Sequence, residues 1–302
     1  MPAVIPLDLN FQNTPQAIAC YLVPHAEGAA LIDPGPASTL TALQRGLRLH
    51  GLDLEQVTHV LITHIHLDHV SAAGVLAQRG AQVLVHPRGA PHLLDPSKLI
   101  ASAARLYGER MDELWGAFQP IPSEHLLEVG DGEEIQVGGL RFVALHTPGH
   151  ADHHVAYLLE ETAFCGDVGG VRLPGPLYLR LPFVPPETHL EKWARSLERI
   201  RASGVRRIAV THFGLYDDAP AHLTFGLNLL EETAAWLEQV MPSAPTTDEL
   251  TAQFRAWMWA RGRALGVAEE VLSAYEAGNP ASFCAKGLMR YWYKVRLGDS
   301  SM

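Results

Sequence analysis

His64-Ile65-His66-Leu67-Asp68-His69 is the stretch that decides how this 302-residue chain is read. It follows Val57–Thr63, an apolar run of strand length, so the motif occupies the turn after a strand. Donors at spacings of 2, 2 and 1 in a turn can aim several imidazoles and a carboxylate into one cleft. A regular helix or strand would not converge all four. Ile65 and Leu67 alternate with the donors and can anchor the loop in a core. A polar loop with incidental histidines would explain one of them, but not this pattern.

The histidines are clumped throughout. Of 16, four lie in His59–His69 and four in His146–His154, where random placement would put about one. Histidine is the commonest metal ligand and general base. The second cluster, His146-Thr147-Pro148-Gly149-His150, also ends a strand, with Pro and Gly making the turn. Asp167 closes the run Ala163–Cys165, and His212 closes Arg206–Thr211. Four strand ends therefore present donors, as at the rim of a sheet.

Composition narrows the function. Apolar residues make up 47% and charged residues 19%, which is globular rather than disordered. The net charge of −10 weighs against nucleic acid as a partner. Cys20, Cys165 and Cys284 include no CxxC pair, so no disulfide framework is expected. Residues 1–10 lack a basic, apolar leader and no apolar run approaches 18 residues. The expectation is a cytoplasmic protein with a small-molecule partner and no membrane. Its oligomeric state is not legible.

Around the motif, β and α signals alternate. Gln16–Val23 and Gly28–Ile32 read as a hairpin, and Ser38 as the cap of a helix to about Leu49. Val70–Gln78 reads as a helix closed by Gly80, then Gln82–Val85 as a strand. Ser97–Phe118 is a helical insertion of one or two helices. Strands resume at Glu133–Val137, Arg141–Leu145, Val155–Leu159 and Ala163–Cys165. Gly169–Pro186, with three Gly and five Pro, is a structured loop. Leu190, Trp193, Leu197 and Ile200 recur at helical spacing, and Arg206–Thr211 is read as the last strand. Beyond it only helical periodicity continues, broken at Pro242–Pro245 and Gly278–Pro280. This divides the chain into an α/β domain, 1–218, and an all-helical domain, 219–302.

HxHxDH, a His after a Thr-Pro-Gly turn, a strand-end Asp and a strand-end His together resemble the metallo-β-lactamase superfamily over residues 15–215. The resemblance implies a four-layer αββα sandwich with two divalent metal ions at one edge. By it, His64, His66 and His150 would hold one ion and Asp68, His69 and His212 the other, with Asp167 bridging. Asp33 matches an acid that supports the metal histidines, though a plain turn-forming Asp also fits. His154 matches a histidine near the site, with a structural histidine the alternative. His146 reads as structural, and Cys165 as a small buried residue two before Asp167 on one strand face.

The donor set contains no thiolate, so it suits zinc first, and iron or manganese as alternatives. Two such cations supply hydroxide at neutral pH and polarise a carbonyl. Asp68, a ligand, is also the group placed to orient that nucleophile or move its proton. The expected function is a dinuclear zinc hydrolase whose metal-bound hydroxide attacks a thioester, lactone or other ester carbonyl. Among branches of the superfamily, the Thr147–His150 turn and helical C-terminus resemble glyoxalase II. Val168-Gly169-Gly170, Thr211-His212-Phe213-Gly214 and the 97–118 insertion depart from it. The alternative is an oxidoreductase resembling mononuclear-iron persulfide dioxygenases. Lys286, Arg290 and Lys294, spaced by four, make a basic helical stripe in an acid-free stretch. Lys286 and Arg290 are candidates for an anionic substrate group. A solvated helix face is the plainer account.

Overall fold

The strand Ala19–His25 shows why two sheets stack here. In a computed structural model, which describes residues 2–298, its residues alternate between two apolar layers. Cys20 and Leu22 join Leu43, Leu47 and Leu76 beneath outer helices. Ala19, Tyr21 and Val23 join Phe142, Tyr157 and Phe164 between the sheets. A strand apolar on both faces needs a cover on each side, and the layered sandwich supplies both.

The first sheet runs in sequence order: β1 (Ile5–Asp8), β2 (Ala19–His25), β3 (Gly28–Ile32), β4 (Val57–Leu61), β5 (Gln82–Val85) and β6 (Leu126–Glu128). The second contains β7 (Glu134–Val137), β8 (Leu140–His146), β9 (Val155–Leu159), β10 (Thr162–Phe164), β11 (Arg207–Val210) and β12 (Gly214–Tyr216), ordered β12-β11-β10-β9-β8-β7. Backbone and hydroxyl bonds pin the sheets together at one edge. Ala19 N donates to Thr211 O at 2.8 Å, Val155 N to Thr63 O at 2.7 Å and Tyr157 Oη to Ile62 O at 3.1 Å.

The expected αββα architecture with a helical C-terminus is present. Several local expectations are corrected. β1, β6 and β12 are strands that periodicity did not reveal; each is only three or four residues long. Arg206–Thr211 is therefore not the last strand. The Val70–Gln78 helix is two short ones, Leu67–Val70 and Ala73–Ala77, the first starting inside the histidine motif. Ser38 does not cap; its hydroxyl donates to Leu114 O at 2.6 Å, tying down the insertion. That insertion is two helices, Ser97–Tyr107 and Met111–Trp115. Cys165 is buried, but Asp167 lies in the turn Gly166–Gly169, so they share no strand face.

The helices Ala219–Val240, Thr247–Ala264, Glu269–Gly278 and Ala281–Tyr291 do not form a separate core. Leu250, Phe254 and Leu288 belong to one apolar cluster with Trp193, Ile208 and Val210. Among the described residues, no helix is long and apolar enough to cross a membrane.

The junction carries a buried polar cluster. Arg172 donates to both Asp218 oxygens at 2.6 and 2.8 Å and lies over the Tyr216 ring. His222 Nε2 donates to Gly169 O at 2.7 Å. Burial, aided by Arg172, lowers the His222 pKa from its ordinary 6.5 to about 4. The folded protein therefore keeps His222 neutral where the unfolded chain binds a proton. Its contribution is present above pH 6.5 and is lost as pH falls towards 4, by about 3 kcal/mol. We expect His222→Gln to flatten the loss of stability over that window. Urea titrations of both proteins at pH 7 and 4.5, with chelator throughout, measure it; parallel curves would contradict the assignment.

Candidate metal centre

The sandwich edge gathers all seven candidate ligands. β4 ends before His64, β8 before the turn to His150, β10 before Asp167 and β11 before His212. His66 precedes the short helix Leu67–Val70, whose first turns carry Asp68 and His69. Two groups result: His64, His66, His150 and Asp167, then Asp68, His69 and His212, with donor atoms within 4.8 Å inside each.

The spacing is that of ligands around a cation. A tetrahedral ion with bonds of about 2.0–2.1 Å has ligand atoms about 3.3 Å apart. In the first group His66 Nδ1 lies 2.9 Å from His64 Nε2 and 3.0 Å from His150 Nε2. Asp167 Oδ2 is 3.3 Å from His150 Nε2 and 4.0 Å from His64 Nε2. In the second, Asp68 Oδ2 is 3.5 Å from His69 Nε2 and 3.3 Å from His212 Nε2. Asp167 Oδ1 completes that group, at 3.2 and 3.5 Å from the same two nitrogens. One carboxylate thus offers one oxygen to each group.

The outer nitrogens are engaged in the protein. His150 Nδ1 donates to Pro182 O at 2.9 Å and His212 Nδ1 to Ala17 O at 2.8 Å. His69 Nδ1 donates to Asp33 Oδ2 at 2.8 Å. Each bond fixes the ring and turns the other nitrogen's lone pair inward. Asp33 is a hub rather than a plain turn residue. It also accepts from Thr63 N at 2.8 Å, Thr63 Oγ1 at 2.7 Å and Thr211 Oγ1 at 2.9 Å. His154 is buried behind His64, ring centroids 5.2 Å apart, and its Nδ1 lies 2.8 Å from Thr147 Oγ1. It supports the site without facing it. His146 bonds Val129 O and faces neither group.

Electrostatics divides the site. Burial, reinforced by neighbouring imidazoles, pushes His64 well below its ordinary range, and burial takes His66 down to about 3. Those rings are neutral, as ligands must be. At the other group burial opposes charge, yet Asp68, Asp167 and Asp33 raise His69 well above its usual value. Asp167 and Asp68 are held ionised against burial by the surrounding imidazoles, Asp68 at about 2. Asp167, buried, and Asp68, partly exposed, together ask for positive charge. His69 Nε2 and Asp167 Oδ1 are buried without a hydrogen-bond partner, which a shared cation would supply. The residues fit a metal pair.

Thr63, Thr211 and the carbonyls of Ala17 and Pro182 were missed from sequence. Thr63-His64 and Thr211-His212 did carry a signal: a Thr-His pair follows each of these strands. Gly166 was also missed. It has φ of +45°, and a Cβ there would lie 2.5 Å from Thr63 Oγ1 and 2.8 Å from His154 Nε2. Only glycine lets the chain turn Asp167 into the cleft.

Comparison with known proteins identifies the family. The family model for the metallo-beta-lactamase superfamily matches residues 13–212. A metallo-beta-lactamase fold-containing protein of Sulfurisphaera tokodaii is 26% identical over 205 residues, 67% of this chain and 74% of that one. A hydroxyacylglutathione hydrolase of Aeromonas hydrophila is 34% identical over 147 residues, covering 49% of this chain and 44% of the hydrolase. The match therefore spans less than half of that relative. The crystal structure of a metallo-beta-lactamase family protein from Thermus thermophilus superposes with a TM-score of 0.68 at 24% identity, over 96% of this chain and 92% of that one.

Proposed function

Since the chain belongs to the metallo-β-lactamase superfamily, we propose that it is a dinuclear zinc hydrolase of thioesters, lactones or other esters. The observation that carries this reading is Asp167, whose two oxygens face two separate donor groups. The two groups would hold two divalent cations, which would lower the pKa of a water towards 7 and polarise a carbonyl. Asp68, its side chain 24% exposed, is placed to orient a water in the cleft and accept its proton. Asp33, through His69 and both threonines, keeps the donors in place before substrate arrives. The similarity to a hydroxyacylglutathione hydrolase supports carbonyl chemistry.

Metal analysis followed by a panel of thioesters, lactones and phosphodiesters tests the reading. About two zinc per chain with ester hydrolysis supports it. One iron with oxygen uptake would favour the dioxygenase instead. Removing the metal with dipicolinate should abolish activity and lower Tm by about 10 °C, because an ion held about 1,000-fold above its Kd stabilises the fold by about 4 kcal/mol. Unchanged melting and activity would overturn it.

Lys286 and Arg290 we propose as contacts for a substrate anion. Lys286 is exposed; Arg290 donates through Nε to Pro186 O at 2.9 Å, beside the loop that holds His150. Removing both should raise KM for an anionic substrate about three- to tenfold and leave kcat unchanged, if they bind ground and transition states alike. The effect should shrink above about 0.15 M salt. An unchanged KM returns the stripe to a solvated helix face.

A further inference from the structure

A chain of aromatic rings spans from the N-terminal loop over the insertion to the C-terminal helix. Phe11 stacks on Trp115 at 5.5 Å, Trp115 meets the edge of Tyr107 at 5.0 Å, and Tyr107 stacks on Phe283 at 6.3 Å with planes 26° apart. Its inner members pack on Leu67, the residue between His66 and Asp68 of the metal motif. Burial, and after it the charge on Asp68, raise the Tyr107 hydroxyl to about 12. Tyr107 therefore lies beside the short helix that carries the metal motif.

The supports on either side are firm. Gln12 Nε2 donates to Glu113 O at 3.1 Å and Ser38 to Leu114 O, fixing the insertion to the sandwich. On the other side Gly287 lies against the Phe183 carbonyl with no room for a Cβ, one residue from the Pro182 carbonyl that holds His150. Tyr107 itself is unlike most tyrosines here. The hydroxyls of Tyr21, Tyr157, Tyr178, Tyr216, Tyr275 and Tyr291 all bond protein groups. Among the described residues, that of Tyr107 has no such partner and is free to donate. The Lys286 ammonium lies 5.6 Å over the Phe283 ring, marking the end of the wall where negative charge is welcome.

We infer that Tyr107 and Phe283 form the acyl-binding wall of the cleft and select esters or thioesters with a flat, apolar acyl group. The inference rests on the hydrolase reading for its chemistry, but the wall itself can be tested by binding alone. Two near-parallel rings extend favourably by a third planar group, and offer less to a methyl. The Tyr107 hydroxyl donates to a polar substituent on that group.

The probes are two uncleavable thioethers, S-benzyl- and S-methyl-N-acetylcysteamine, titrated calorimetrically into the full chain with and without zinc. The wild-type protein should bind the benzyl compound about tenfold more tightly than the methyl one. Tyr107→Ala and Phe283→Ala, on separate helices, should each erase most of that preference, whereas Tyr107→Phe, which keeps the ring, should retain it. Thermal melts check that each variant folds. Equal binding of both probes, or a preference untouched in both alanine variants, overturns the wall. Benzoyl and acetyl thioesters of the same thiol then test the chemistry separately. If the binding preference stands but zinc-loaded protein cleaves neither ester, the wall holds and the hydrolase reading falls.

Discussion

Asp68→Asn should lower kcat by about 10²–10⁴-fold, the usual cost of losing a positioned proton-transfer group. Asn keeps the volume, so packing around Leu67 and the short helix that carries it should survive. What it loses is charge and basicity. The imidazoles of His69 and His212 hold the Asp68 carboxyl at about 2 despite burial, so the wild-type group is ionised wherever the enzyme would work. Its Oδ2 faces both His69 and His212. An amide can still present one oxygen there, but it cannot accept a proton from water. Zinc content must be measured on the same sample, because a weakened second group would mimic lost chemistry. A kcat within a few-fold of wild type at full metal loading would remove Asp68 from the mechanism.

The same residues show how far a sequence can be read. The layered fold was legible because β and α signals alternate along the chain, Leu190, Trp193, Leu197 and Ile200 repeat at helical spacing, and the histidine motif carries the resemblance that implies four layers. Strands β1, β6 and β12 were not, since three or four residues hold too little period to register. Each exists because a neighbouring strand offers an edge, and that is a tertiary fact. The split of Val70–Gln78 has a similar origin. Gly35 accepts from Ala72 N at 3.0 Å and donates to His69 O at 3.1 Å, interrupting the helix from outside it.

At the site, the donors were legible because metal chemistry demands particular side chains at strand ends. Their supports were not, because carbonyls carry no sequence signature. Nothing in Ala17 or Pro182 says that it will hold His212 or His150. The wall above the cleft was hidden for another reason. Tyr107 and Phe283 lie in segments far apart in the chain, and only packing brings them together.

Asp167→Ala and His212→Ala should separate the two metal positions. Asp167 gives Oδ2 to the group of His64, His66 and His150, and Oδ1 to that of His69 and His212. His212 belongs to the second group alone. Zinc analysis after exhaustive dialysis should therefore find about two ions per chain in wild type, about one in His212→Ala and well below one in Asp167→Ala. Melting should follow the same order, since each ion that binds only the folded state adds its own stabilisation. The contrast does not depend on substrate, so it holds even if the ester preference is misread. It depends only on one carboxylate reaching two cations. Were both variants to lose the same single ion, Asp167 would be an ordinary terminal ligand. The site would then reduce to one metal with Asp68, His69 and His212 left to hold protons, the arrangement that the mononuclear alternative requires.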